Sequence, residues 1–184
     1  MKFSKLTTVT GLAVVALFAS AVCLAANKAE IDANVNATVS QFESLNPNHA
    51  SLLNRAAGVL IFPRVTKAGA GVAGEHGQGV LQVKGKTVGY YSIASASVGL
   101  TLGVAKHSEI IVFTTQNALD KFVNSKGWSV GADAGIAVVS AGAGGEYDTQ
   151  TLTRPILGFV FGEKGLIADV SLEGSKINRI EKLS

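Results

Sequence analysis

The sequence predicts an α+β domain: a strongly curved, mainly antiparallel and barrel-like sheet, two N-terminal helices, and one short helix inserted near 117–124. Three observations predict it. An amphipathic stripe opens the domain, the apolar period switches to short turn-bounded runs after Gly58, and glycines recur inside those runs.

From Lys28 to Leu45, apolar residues fall at Ile31, Val35, Val39, Phe42 and Leu45, a single helical stripe. Asn46-Pro47 ends that helix, and Pro47 suits the opening of the next, whose short stripe is Leu52, Leu53 and Ala56. Gly58 stops it. Val59-Leu60-Ile61-Phe62 is fully apolar and closed by Pro63, as a buried strand would be. Gly79 to Val83, the turn Lys84-Gly85-Lys86, and Thr87 to Ala94 form a predicted hairpin. Glu109 to Thr114 is another strand. Asn117 to Asn124 is the inserted helix, with Leu119, Phe122 and Val123 inward and Gly127 as its stop. Ser129 to Val139 alternates small and apolar residues. Ile156 to Phe161 and Leu166 to Leu172 flank Gly162-Glu163-Lys164-Gly165 as a second hairpin. Gly89, Gly99, Gly103, Gly131, Gly135, Gly142 and Gly144 fall in the strand regions, where glycine marks sharp coiling, bulges or close backbone contact.

The chain has 184 residues, room for one domain, and 47% apolar against 16% charged residues supplies ample core. Twenty-one glycines without a G-X-Y period exclude collagen, and one cysteine excludes an internal disulfide or a multi-cysteine metal site. Lys2 and Lys5 precede an uncharged run from Leu6 to Asn27, apolar from Leu12 to Val22 except for Ser20. A basic start, an apolar run and small residues after it make 1–26 a secretory signal peptide, cut after Ala25 or Ala26, and leave 27–184 as the single domain. Two alternatives stand beside it: Cys23 as an acylated lipoprotein cysteine, and an uncut anchor. Each places the domain outside the cytoplasm, in the periplasm or cell envelope.

The formal charge of +3 falls to +1 without 1–26, which argues against a nucleic-acid partner. Charge is nevertheless segregated. Residues 55–107 carry Arg55, Arg64, Lys67, Lys84, Lys86 and Lys106 against Glu75 alone, while the segments on either side are each net acidic. A basic middle third is the footprint of a surface that meets anions; the alternative is that these side chains point apart and only keep the chain soluble.

Enzyme-like motifs lack their context. Gly69-Ala70-Gly71-Val72-Ala73-Gly74 spells a dinucleotide fingerprint, but Glu75-His76-Gly77-Gln78-Gly79 is a poor first helical turn. Gly127-Trp128-Ser129-Val130-Gly131 spells the hydrolase elbow, yet a helix precedes it and no histidine follows it. His49, His76 and His107 have no metal-ligand spacing, and each reads as a surface or hydrogen-bonded histidine. Asp133, Glu146 and Asp148 give no acid–base pair by spacing. The expectation is no enzyme, no catalytic or metal residues and no cofactor.

Ala57-Gly58-Val59-Leu60-Ile61-Phe62-Pro63, Lys67-Ala68-Gly69 and Gly77-Gln78-Gly79-Val80 resemble the first half of a SYLF domain. Ile111-Val112-Phe113, Gly127-Trp128, Gly142-Ala143-Gly144-Gly145 and the run from Gly165 to Gly174 resemble its second half, so the similarity spans about Leu45 to Ile180. The resemblance implies a non-enzymatic lipid-binding module for anionic, phosphoinositide-like head groups at a membrane surface. It also implies an actin-binding alternative, since yeast members bind and bundle filaments. Family members engage membranes through a basic front helix; the matching stretch here sets Lys28 against Glu30, Asp32 and Glu43. The candidate lipid contacts are Lys84 and Lys86, which a turn projects outward, then Arg64, Lys67 and Lys106. A cell-envelope structural or protein-docking role is the other alternative.

Overall fold

The computed structural model describes residues 10–131, 135–139, 153–162, 165–167, 172 and 174–180, with the side chains of 10–27, 71 and 97–102 outside that description. Gly142, Gly144, Asp133, Glu146 and Asp148 lie outside the described residues, as do the side chains of Cys23 and the surroundings of Gly99. Three helices are described, α1 (Thr10–Leu45), α2 (Asn48–Arg55) and α3 (Gln116–Val123). The strands are β1 (Gly58–Val83), β2 (Lys86–Phe113), β3 (Trp128–Ser129), β4 (Ala137–Val138), β5 (Ile156–Gly162), β6 (Gly165–Leu166) and β7 (Lys176–Arg179). They form one strongly curled half-barrel sheet in the order β3-β7-β2-β5-β4, with β1 on β2 and β6 on β5. Every pairing is antiparallel except β4 with β5. The curl follows from β2, whose Tyr91–Ala94 stretch pairs with β7 while Ser108–Phe113 pairs with β5.

The predicted hairpin is present but far longer than its sequence signals. β1 and β2 stay paired from Gly58↔Phe113 to Val83↔Lys86 around the turn Lys84-Gly85, whose two residues are both left-handed at φ 51° and 72°. That is the primed turn whose twist matches its strands. The strand does not stop at Pro63. A register shift between Phe62 and Val65 absorbs the proline, and the Ser108 hydroxyl donates to the Pro63 carbonyl at 2.8 Å.

β1 also doubles back on itself. A Cβ on Gly69 would stand 2.2 Å from the Val72 carbonyl oxygen, so the chain reverses within four residues. Beyond the reversal the halves stay in step: Gly77 lies on Arg64 and Val65, Gly79 on Ile61, and Gly58 near Gln82. At Gly77 and Gly79 the layers meet backbone to backbone, so these two positions admit no side chain. The close contact expected of the glycines is therefore carried by Gly77 and Gly79; at Gly103 and Gly135 a Cβ would meet open space.

Both faces of the sheet are covered, which is why Val59–Phe62 is apolar throughout. Val59, Ile61, Ile110, Val112, Leu157, Phe159 and Phe161 face Val35 and Phe42 of α1. Leu60, Phe62, Ile111, Phe113 and Val160 face inward onto Leu119 and Phe122 of α3 together with Trp128, Leu172 and Ile177. The helical stripe of Lys28–Leu45 is thus correct, though the helix begins at Thr10. Thr115 caps α3, its hydroxyl accepting from the Ala118 amide. Val123, expected inward, is 39% exposed because it falls on the outer side of a helix only eight residues long. The second hairpin forms as β5–β6, and β7 had no sequence signal.

Two polar latches fix α1 and α2. His49 is buried, stacks on Phe42 at 3.8 Å and bonds its backbone carbonyl; burial lowers its pKa, against the opposing pull of that hydrogen bond. Tyr90 donates to both Asp32 oxygens at 3.1 and 3.0 Å, with Lys28 over its ring at 4.8 Å. Burial, then the Asp32 carboxylate, pushes the Tyr90 hydroxyl up to about 12.

Gly79→Ala drives a methyl into the Ile61 carbonyl and is expected to cost about 3 kcal/mol by urea denaturation, while Gly74→Ala, which meets nothing within 4 Å, stays near the parent value.

Candidate functional site

Strand alternation, reset by the bulge at Pro63, decides what enters the curl. Leu60 and Phe62 point inward before the bulge, and Val65 does so after it. Lys67 follows on the same side. On β2 the inward series that includes Ile111 and Phe113 continues to Glu109, opposite Phe62, and His107, opposite Val65. On the returning half of β1 it is Glu75, opposite Ser95. The doubled hairpin therefore brings Lys67, Glu75, Ser95, His107 and Glu109 together beneath its bend, beyond the last apolar layer.

This cluster is shielded from water. Glu75 is 8% exposed, His107 6% and Glu109 1%. Lys67 Nζ sits 2.9 Å from Glu75 Oε1, the Ser95 hydroxyl donates to Glu75 Oε2 at 2.9 Å, and His107 Nε2 lies 2.8 Å from Glu109 Oε1. Glu109 Oε2 is buried without a hydrogen-bond partner among the described residues. Burial pushes the Glu109 carboxyl up; the His107 hydrogen bond and charge oppose this, and Glu75 adds to it. One ligand atom each from Glu75, His107 and Glu109 lies within 4.8 Å of the others, a set with the chemistry to hold a cation. The sequence carried half of this signal: His-x-Glu on a strand puts both groups on one face. The other half, Glu75, depends on the reversal of β1.

The five candidate cations separate. Lys84 and Lys86 are exposed at the turn, where Lys84 borders a ≈ 200 Å³ cleft with Glu43, Leu53 and Asn54. Lys67 turns inward to Glu75. Arg64 and Lys106 lie on the α1 side, Lys106 directly across from Thr66, and Arg64 borders a ≈ 330 Å³ cleft with Thr66, His76 and Glu30. Arg64 also reaches Glu30 at 3.4 Å, but both are more than half exposed, so the pair contributes little. Because Gly58 lies by Gln82, the turn is at the base of the hairpin, beside Gly58, which is nine residues of β1 from Lys67, or on the order of 30 Å along a strand. The structure brings Arg64 and Lys106 to one end and leaves Lys84 and Lys86 at the other.

His76 is exposed, as expected of a surface histidine. Ser129 lies in a two-residue strand after α3, without the strand–turn–helix of a nucleophile elbow.

This architecture defines a class: an α+β domain built on a curled antiparallel half-barrel, with α1 and α2 on its outer face and α3 closing its interior. Residues 94–183 match the model of the family described as Ysc84: Las17-binding protein actin regulator, in agreement with the SYLF-domain resemblance of the sequence. The matched span starts midway along β2 and takes in α3 and every later strand. No curated protein matches the chain.

His107→Ala leaves both Glu109 oxygens buried without a partner and is expected to cost about 3 kcal/mol in thermal denaturation in the presence of a chelator. Replacing His107 and Glu109 together by leucine is expected to recover most of that loss, since an apolar pair needs no counter-charge.

Proposed function

We propose that this protein is a non-enzymatic module of the cell envelope that binds anionic lipid head groups, with the bend of its doubled hairpin as the membrane contact. What carries the reading is an apolar projection beside a cation. Val72 is 63% and Val104 70% exposed, and Ala68, Ala70 and Ala96 are exposed around them. Gly103, Val104, Ala105 and Lys106 are exposed in succession, so both faces of the strand are free and this end stands clear of the core. Burying a valine side chain contributes roughly 1.5 kcal/mol or more, and a lysine near an anionic surface about 1 kcal/mol. The two valines with Lys106 thus outweigh the other end, where Lys84 and Lys86 have Val88, 48% exposed, beside them.

Export by the 1–26 signal puts this contact outside the cytoplasm, and intact mass distinguishes cleavage after Ala25 or Ala26 from acylation at Cys23. The family description names actin regulation, so filament co-sedimentation is the second assay; saturable, salt-sensitive pelleting with filaments and none with vesicles favours that reading. Salt-insensitive capture of an envelope protein without lipid preference favours a docking role.

Vesicle flotation tests the proposal. Val104→Asp with Lys106→Glu is expected to weaken binding to phosphatidylglycerol vesicles about 30-fold, while Lys84→Glu with Lys86→Glu changes it about twofold. The reverse pattern moves the contact to the turn. Binding that ignores both pairs, or that neutral vesicles match, ends the lipid reading.

A further inference from the structure

The cluster beneath the bend has a charge deficit that nothing in the lipid reading uses. Two carboxylates, Glu75 and Glu109, are buried with one ammonium, Lys67, which is spent on Glu75. Glu109 is left with an imidazole on one oxygen and, among the described residues, nothing on the other, at 1% exposure. An oxygen left unpaired in so dry a site is costly unless something occupies it. We infer that Glu75, His107 and Glu109 form a binding site for one divalent transition-metal ion, a staple that ties the returning half of β1 to β2.

The donor set selects the class of ion. One imidazole nitrogen with carboxylate oxygens suits zinc and its first-row neighbours; copper(I) wants sulfur, and calcium wants six to eight oxygens. The donors lie within 4.8 Å of one another, whereas bonds of about 2.0–2.2 Å to one zinc require separations nearer 3.5 Å. Side-chain torsions close that gap with the backbone in place. One supporting contact is built, Ser95 orienting Glu75 from the opposite strand, whereas Lys67 competes with the metal for the same carboxylate. His107 and Glu109 come from adjacent inward positions of β2, while Glu75 comes from across the fold, so the ion bridges parts of the chain brought together only by the reversal at Gly69.

The test is calorimetric titration of the chelator-stripped protein with zinc chloride, beside thermal denaturation with and without zinc. Expected are one zinc per chain, a rise in Tm of several degrees, and at least a hundredfold loss of affinity in Glu109→Gln and in His107→Gln. Lys67→Met removes the competing ammonium and is expected to tighten zinc several-fold, whereas exposed His76→Ala changes nothing. Should the buried variants fail to fold, zinc-edge X-ray absorption of the parent protein decides: one imidazole with carboxylate oxygens and no sulfur supports the site, and two or more imidazoles overturn it. Absence of saturable uptake, uptake that survives Glu109→Gln in a folded protein, or loss on His76→Ala also overturns it.

Discussion

The architecture depends on one constraint, that β1 lies on itself with no side chain between the layers at Gly77 and Gly79. A strand of 26 residues with its partner would span well over 60 Å if straight, too long to enclose anything. Reversal at Gly69–Ala73 converts that ribbon into two short crossed layers, and the missing Cβ atoms at Gly77 and Gly79 let Arg64, Val65 and Ile61 come within backbone contact. Alanine at these places would separate the layers and open the interior that α3 fills. The local loss of stability from glycine in a strand is offset by the apolar surface the reversal covers.

Covering both faces follows from this. Once folded over, the sheet has a concave side closed by α3, Trp128 and Ile177 and a convex side shielded by α1 and α2. The helices are held by Phe42, His49 and the Tyr90–Asp32 bond as well as by area, so their position is directional and not merely greasy. The acidic residues of 28–45 find their places here: Asp32 is a latch and Glu30 meets Arg64, which accounts for a front helix lacking the basic face implied by the family resemblance.

Local chemistry made the elements legible, and non-local contact hid the site. The stripe from Ile31 to Leu45, the Lys84-Gly85 turn and the apolar runs around residues 60, 111 and 159 carry their structure in their own spacing. Pro63 misleads because the rule for proline in strands allows an exception at bulges, and Ser108, which supports that bulge, is 45 residues away. Glu75 and His107 are 32 residues apart and meet through a register and a reversal that no period reports. The same holds for the cations: their segregation in sequence is real, but strand alternation sends Lys67 inward and the fold carries Lys84 to the opposite end from Lys106.

The bend end combines two properties that are in tension. It projects valines into solvent on a ladder that runs through the bend with a register shift between Ala70 and Val72. A projection of that kind would be loose, because little apolar area anchors it and its backbone bonds face water. Directly beneath it sit Lys67 and Ser95, both on Glu75, and His107 on Glu109, at distances of 2.8–2.9 Å, with the Ser95–Glu75 bond crossing from β2 to β1. Charged groups in a dry layer are a costly way to fill space, and leucines there would pack more cheaply. What they add is fixed geometry at the one place where the hydrophobic core has ended and the exposed tip has begun. A rigid base under an apolar tip lets the tip meet another surface without first paying to order itself, and so the polar cluster and the exposed valines are best understood as parts of one device.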